Sequence, residues 1–285
     1  MVGVLTKCVL DDGRGSARQL IVNYTHEKET GRTSSITYEI MGFKEGKQVE
    51  PQRVNEKKNN LWAQVIKDSD KVITIIDLCG HETYLKTTIF GLTGLMPDYA
   101  AIIVGANMGV QRMTKEHLGI ALALKIPIFI IVTKIDIAPE DVYKQTMDNL
   151  MKILRSPAAN KMPVMVKESD DPEIFADNLV CDRICPIFAC SSVKGNGINQ
   201  LRSFISKLVS RNQQVKLFKP STDKVEFTID SVFFVNTVGV VVSGTLMGGK
   251  VEKGQTLMLG PDIKGILKNN FKRCFYCGPS KINSL

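Results

Sequence analysis

Three short stretches of this 285-residue chain carry side chains suited to chemistry on a phosphorylated ligand. In the first, the β-branched run Ile73-Thr74-Ile75-Ile76 ends in Asp77-Leu78-Cys79-Gly80-His81, which reads as a buried strand with a carboxylate, a glycine and an imidazole at its tip. A strand of this kind in an α/β sheet delivers its last residues to the crevice at the carboxyl edge, where the ligands of such sheets bind. There Asp77 is suited to hold hydrated Mg²⁺, Gly80 to offer a backbone N–H to a phosphate oxygen with no Cβ in the way, and His81 to lie beside the terminal phosphate. An ordinary strand and turn would have the same pattern, so this stretch alone does not settle the chemistry.

The second stretch, Thr133-Lys134-Ile135-Asp136, closes the apolar run that starts at Pro127. Guanine presents two adjacent donors, N1–H and the 2-amino group, and one carboxylate accepts from both; adenine has no such pair. Asp136 is therefore the candidate for base selection, Lys134 for laying its methylene stem along the ring, and Thr133 for tying loops together. A capped strand end leading into the next helix is the plain alternative. The third stretch, Cys190-Ser191-Ser192-Val193-Lys194-Gly195, again follows a strand-like run. A backbone N–H there, that of Ser192, can donate to guanine O6 and meets the adenine amino group donor to donor. Three such stretches in this order, each at a strand tip, point to nucleotide binding.

The elements that must position them are legible as alternation. Val72–Asp77, Ala100–Ala106, Pro127–Lys134 and Ile184–Cys190 are near-continuous apolar runs, the pattern of strands buried on both faces of a parallel sheet. Between them the sequence predicts helices over 82–95, over 114–124 with Thr114 as cap, over 140–154 and over 197–209, the last two with apolar stripes at helical spacing. This alternation gives a doubly wound α/β domain. Residues 1–50 read as loop-rich, with Ile36–Phe43 as an edge strand and a Lys/Asn-rich connection at 55–60. Beyond Arg211 the texture changes to β-branched runs, Val225–Val235, Val240–Met247 and Thr256–Gly260, joined by turns and predicting an antiparallel β-barrel domain; the tail from Phe271 has no usable periodicity.

Composition narrows the class. The formal charge of +8 suits a polyanionic partner. No apolar run is long enough to span a bilayer and the N-terminus has no secretory pattern, so a cytoplasmic location and no membrane contact are expected. Seven scattered cysteines argue against a disulfide framework, and Cys274-x-x-Cys277 lacks the second pair that a zinc site needs.

Taken together, Asp77–His81 with Glu82-Thr83-Tyr84-Leu85-Lys86-Thr87-Thr88, Thr133–Asp136, Lys115-Glu116-His117-Leu118-Gly119 and Gly31-Arg32-Thr33-Ser34-Ser35 resemble the GTP-binding-protein-1/2 branch of the elongation-factor-type translational GTPases. The resemblance reaches to about Asp262. It implies GTP hydrolysis with Mg²⁺, Thr33 and Asp77 as metal ligands, and His81 as the catalytic residue that orients the attacking water. It also implies Thr33, Asp77, Gly80, Thr133, Lys134, Asp136, Ser191 and Ser192 as nucleotide contacts, with ribosome and tRNA rather than DNA as partners.

One motif of that family is missing: no G-x-x-x-x-G-K-[ST] occurs, since Gly46-Lys47 is followed by Gln48 and Gly249-Lys250 by Val251. In the family the phosphate loop would lie just upstream of Gly3-Val4-Leu5-Thr6. The expected architecture is therefore an α/β, P-loop-type G domain over 1–212, lacking its first strand and phosphate loop, followed by an incomplete antiparallel β-barrel domain over 222–285. The missing strand would sit between the strand ending at Asp77 and Ala100–Ala106, so a gap or a non-native closure between those two is expected. A nucleotide-binding-deficient fragment acting only as an interaction module is the alternative function.

Overall fold

The computed structural model describes residues 1–50, 58–179, 183–210, 225–236, 239–249, 251–252, 255–260 and 268–271. Cys181, Cys274-x-x-Cys277 and the tail beyond Phe271 lie outside the described residues. The chain divides into two compact units, Met1–Arg211 and Asn212–Leu285.

In the first unit the elements are α1 Val2–Lys7, α2 Ser16–Gln19, α3 Thr25–Thr30, β1 Thr37–Lys44, β2 Lys47–Gln48, α4 Lys58–Asp68, β3 Lys71–Asp77, α5 Leu85–Gly94, β4 Ala100–Gly105, α6 Arg112–Ala123, β5 Ile128–Thr133, α7 Glu140–Arg155, β6 Met162–Met165, α8 Pro172–Leu179, β7 Ile184–Ala189 and α9 Ile198–Lys207. The strands β4-β5-β7-β6 form a parallel sheet in that order. Strand β5 shows why this sheet is buried on both faces. Its Ile128, Ile130 and Val132 enter one core while Phe129 and Ile131 enter the other. One face packs on α6 and α7 through Leu118, Ala121, Met147, Leu150 and Leu154. The opposite face packs on α8 and α9, where the Phe204 ring lies 5.2 Å from Phe129 and 4.8 Å from Phe188.

Helix α7 is placed by pattern and charge together. Met147, Leu150 and Leu154 share its buried face, and Glu140 and Asp141 in the first turn with Lys152 and Arg155 in the last complement the helix dipole. Helix α9 starts at Gly197, which must be glycine: its φ is +70° and a Cβ there would lie 2.2 Å from the Ala189 carbonyl oxygen.

Strand β3 belongs to a separate sheet of order β2-β1-β3, in which β1 and β3 run antiparallel with Thr37 opposite Asp77. Strands β3 and β4 are thus not joined by a ladder, as expected, and among the described residues nothing else pairs with the edge of β3 away from β1. The two sheets are held together by packing and by one polar tie: Met41 and Phe43 of β1, with Val4 and Leu5 of α1, share one apolar cluster with Phe129, Phe188 and Phe204, and the Lys71 ammonium of β3 donates to the Ser206 and Leu208 carbonyls.

Several sequence expectations need correction. Residues 1–50 carry three helices, and helix α1 forms because Val4 and Leu5 bury completely or nearly so against the core, a tertiary gain that composition does not show. Ile36–Phe43 is expected as an edge strand, and β1 pairs with β3 along its length but with β2 only at Phe43 and Lys44, so among the described residues its side away from β3 is an edge over most of the strand. Thr114 is not a cap, since α6 begins two residues earlier with Gln111 at its N-cap. The helix expected over 82–95 is a 3₁₀ turn Glu82–Tyr84 followed by α5. Strand β6 and helices α4 and α8 escape the sequence reading: β6 is only four residues long and carries a proline.

In the second unit β8 Glu226–Val235 pairs antiparallel with β9 Gly239–Gly248, and β10 Leu257–Leu259 with β11 Lys268–Phe271. Among the described residues these two pairs are what represents the expected barrel. Among the described residues no helix is long and apolar enough to cross a membrane.

Candidate functional site

The parallel sheet brings the second and third stretches together. Strands β5 and β7 are neighbours, so Thr133–Asp136 and Cys190–Gly195 leave the sheet side by side. Their side chains interlock: the Ser191 hydroxyl, fully buried, donates to Asp136 Oδ1 at 2.7 Å and accepts from the Lys194 N–H at 3.0 Å. That contact orients the carboxylate and leaves its other oxygen available to a ligand. Thr133 is buried and its hydroxyl donates to the Val104 carbonyl, which ties the tip of β5 to β4. Lys134 sits with φ +60° and is exposed, a left-handed turn that lifts its side chain out of the sheet. The Ser192 carbonyl accepts from the Asp11 N–H at 2.9 Å, and the Ser192 N–H makes no hydrogen bond among the described residues.

The first stretch is built on the other sheet. Asp77 ends β3 half-buried, and burial pushes its carboxyl above the usual carboxylate range; the Met1 ammonium and the Arg18 guanidinium pull it back, while Glu27 and Glu39 push it further up. Gly80 is exposed, and nothing lies within 4 Å of where its Cβ would be, so its backbone is open to close approach. His81 opens the 3₁₀ turn, its Nδ1 accepting from the Thr83 N–H at 3.2 Å. With Nδ1 accepting that bond, a neutral ring carries its proton on Nε2.

Thr33 lies in the segment between α3 and β1, and the pairing of Thr37 with Asp77 brings the end of that segment to the tip of β3. The Cys79 thiol donates to the Ser35 carbonyl at 3.7 Å, a second link between the two. Asp77 and Thr33 are hard oxygen donors, and a Mg²⁺ held mainly by phosphate oxygens needs only one or two such ligands.

Sequence reasoning missed three residues here. Glu27 is 1% exposed and collects donors from Ser34 and Ser35; although burial opposes its charged form, those hydrogen bonds hold its carboxyl below the usual range. Arg18 donates to the Glu27 carbonyl at 3.2 Å. Lys7 forms a buried ion pair with Glu39 at 3.1 Å. None belongs to a motif with fixed spacing, because each partner comes from a different element.

Residues 4–211 match the model of the elongation factor Tu GTP binding domain. GTP-binding protein 1 of Xenopus laevis is 43% identical over 265 residues, covering 93% of this chain and 40% of that protein. GTP-binding protein 2 of Homo sapiens is 40% identical over 269 residues, covering 93% and 44%. The chain thus spans less than half the length of these curated relatives. Among solved structures, a bacterial selenocysteine-specific elongation factor superposes with a TM-score of 0.53 at 20% identity, covering 94% of this chain and 36% of that one, a likeness of fold.

Proposed function

We propose, from the premise that this chain belongs to the elongation factor Tu GTP-binding domain family of translational GTPases, that it binds GTP or GDP with Mg²⁺ and hydrolyses GTP. The observation that carries the reading is the Asp136–Ser191 contact at the tips of two adjacent parallel strands, with the Ser192 N–H beside it. Asp136 accepts from guanine N1–H and its amino group, Ser192 donates to O6, and Lys134 covers the ring. Asp77 and Thr33 hold Mg²⁺, which supplies neutralisation of the phosphate charge; Gly80 presents its N–H to the terminal phosphate. His81 orients a water by its Nε2–H, a role of positioning with no covalent intermediate.

Ribosome and tRNA are the proposed partners of the basic chain, in the cytoplasm. A second reading is favoured by one observation: among the described residues no ladder joins β3 and β4. In it the chain binds nucleotide poorly and acts as an interaction module.

Titration of the 285-residue chain with a fluorescent GTP analogue, in competition with GTP, GDP and ATP, tests both. Displacement by GTP and GDP but not by ATP is expected. Equal displacement by ATP would overturn the base assignment, and no binding at any accessible concentration would leave the second reading in place.

A further inference from the structure

Glu27 is placed as a hub. From α3 its Oε1 accepts from the Ser34 N–H at 2.7 Å, the Ser34 hydroxyl at 2.8 Å, the Ser35 hydroxyl at 3.0 Å and the Ser35 N–H at 3.1 Å. Its backbone carbonyl accepts from the Gly31 N–H at 3.1 Å and from Arg18 Nη1 at 3.2 Å. Ser34 has one hydroxyl proton, which Glu27 takes, so the 2.8 Å contact between Ser34 and His26 is donated by His26 Nε2–H. The loop from Gly31 to Ser35 is therefore folded around one buried side chain, and Ser35 in turn receives the Cys79 thiol two residues past Asp77. Thr33 is the residue next to this cluster whose own hydroxyl makes no hydrogen bond among the described residues.

We propose that Glu27 is a positioning residue: it latches Ser34 and Ser35 so that Thr33 is presented toward Asp77, and it thereby sets the preference for a nucleoside triphosphate over a diphosphate. The second half of this statement rests on the nucleotide reading of Thr33; the latch itself does not. The physical case is that one oxygen gathers all four donors, and that a polar side chain buried this far is tolerated only when its hydrogen-bond partners stay in place. The segment is thus pre-ordered before any ligand arrives. A γ-phosphate that orders such a segment in GTPases then meets it already folded and needs less ordering free energy, which favours the triphosphate selectively.

Because all four contacts use Oε1, the role depends on where that oxygen sits more than on charge. Glu27→Gln keeps it in place, Glu27→Asp withdraws it by one methylene while keeping the charge, and Glu27→Ala removes it. The test is amide hydrogen exchange over residues 31–36 of the ligand-free 285-residue chain, followed by GTP-analogue and GDP affinities for the same variants. Exchange at Ser34 and Ser35 should rise about tenfold or more in Glu27→Ala, with Glu27→Asp close to it and Glu27→Gln nearer the parent, while exchange in β5 stays unchanged. Affinity for the GTP analogue should fall in the same order with GDP affinity constant. Unchanged exchange in Glu27→Ala, or Glu27→Asp nearer the parent than Glu27→Gln, would overturn the latch. An equal loss for GDP and GTP would overturn the selectivity. If Glu27→Ala does not fold, the Gln and Asp pair reads the same contrast. A parent chain that binds neither nucleotide would overturn the functional reading, and the exchange result would still uphold or overturn the latch.

Discussion

The base-facing and phosphate-facing halves of the candidate site are built in opposite ways. The base half rests on two neighbouring strands of a continuous parallel sheet, and its key contact joins a fully buried hydroxyl to a carboxylate over 2.7 Å. The phosphate half stands on a three-stranded sheet of its own, attached to the rest by side-chain packing and the Lys71 tie and organised by polar groups, Glu27 with Ser34 and Ser35, and Lys7 with Glu39. A ladder fixes position residue by residue, whereas packing and a few side-chain bonds hold a segment that can still move as a piece. In the proposed reading the base half is therefore the rigid part, and the phosphate half the adjustable one.

The contrast breaks most severely if the shared core is lost. Phe204 is fully buried between Phe129 and Phe188, in the cluster that also holds Met41 and Phe43 of the other sheet. Phe204→Ala should cost about 3–5 kcal/mol, the usual range for removing a buried aromatic ring. Since packing helps attach the phosphate half, its amides should lose protection together with those of β5. Urea unfolding read with hydrogen exchange checks this: loss confined to β5 and β7 would mean that the small sheet is attached by something else.

A smaller effect, confined to the base half, is expected from Asp136. In Asp136→Asn one carboxylate oxygen becomes an amide that faces the guanine amino group donor to donor, while a 2-oxo base becomes acceptable. A hydrogen bond to a charged group is worth about 1.5–3 kcal/mol, so GTP affinity should fall about tenfold to a hundredfold and XTP should gain. Competition titration measures the ratio. An unchanged GTP-to-XTP ratio would show that Asp136 does not touch the base.

What could be read from the sequence follows the same division. Strands β5 and β7 announce themselves because burial on both faces leaves a continuous apolar run, and their tips carry the readable motifs. Helix α1, the pairing of β1 with β3 and the hub at Glu27 were not legible. Each depends on which segments meet in space: Val4 on the distant Phe204 cluster, β1 on the β3 register, Glu27 on serines seven and eight residues away in a loop without periodicity. A buried carboxylate has no spacing rule when its partners are backbone N–H groups and serines.

The smallest expected effect separates two duties of one residue. His81 accepts from the Thr83 N–H through Nδ1, which makes it the cap of the 3₁₀ turn, and the proposed mechanism also asks it to orient water through Nε2. Asparagine can take over the cap, because its side-chain oxygen reaches a backbone N–H two residues on, but it cannot extend a donor to the position of Nε2. His81→Ala should lose both duties, with a stability cost of about 1 kcal/mol for the cap. His81→Asn should recover that stability and still hydrolyse GTP slowly. In both variants GTP affinity should stay near the parent value, because a group that positions water acts on the transition state and contributes little to ground-state binding. Thermal unfolding, single-turnover hydrolysis and GTP titration on the two variants decide it. If His81→Asn restores turnover along with stability, capping is the whole of what His81 does; if affinity falls in step with rate, the imidazole binds the nucleotide and the water-orienting role is wrong.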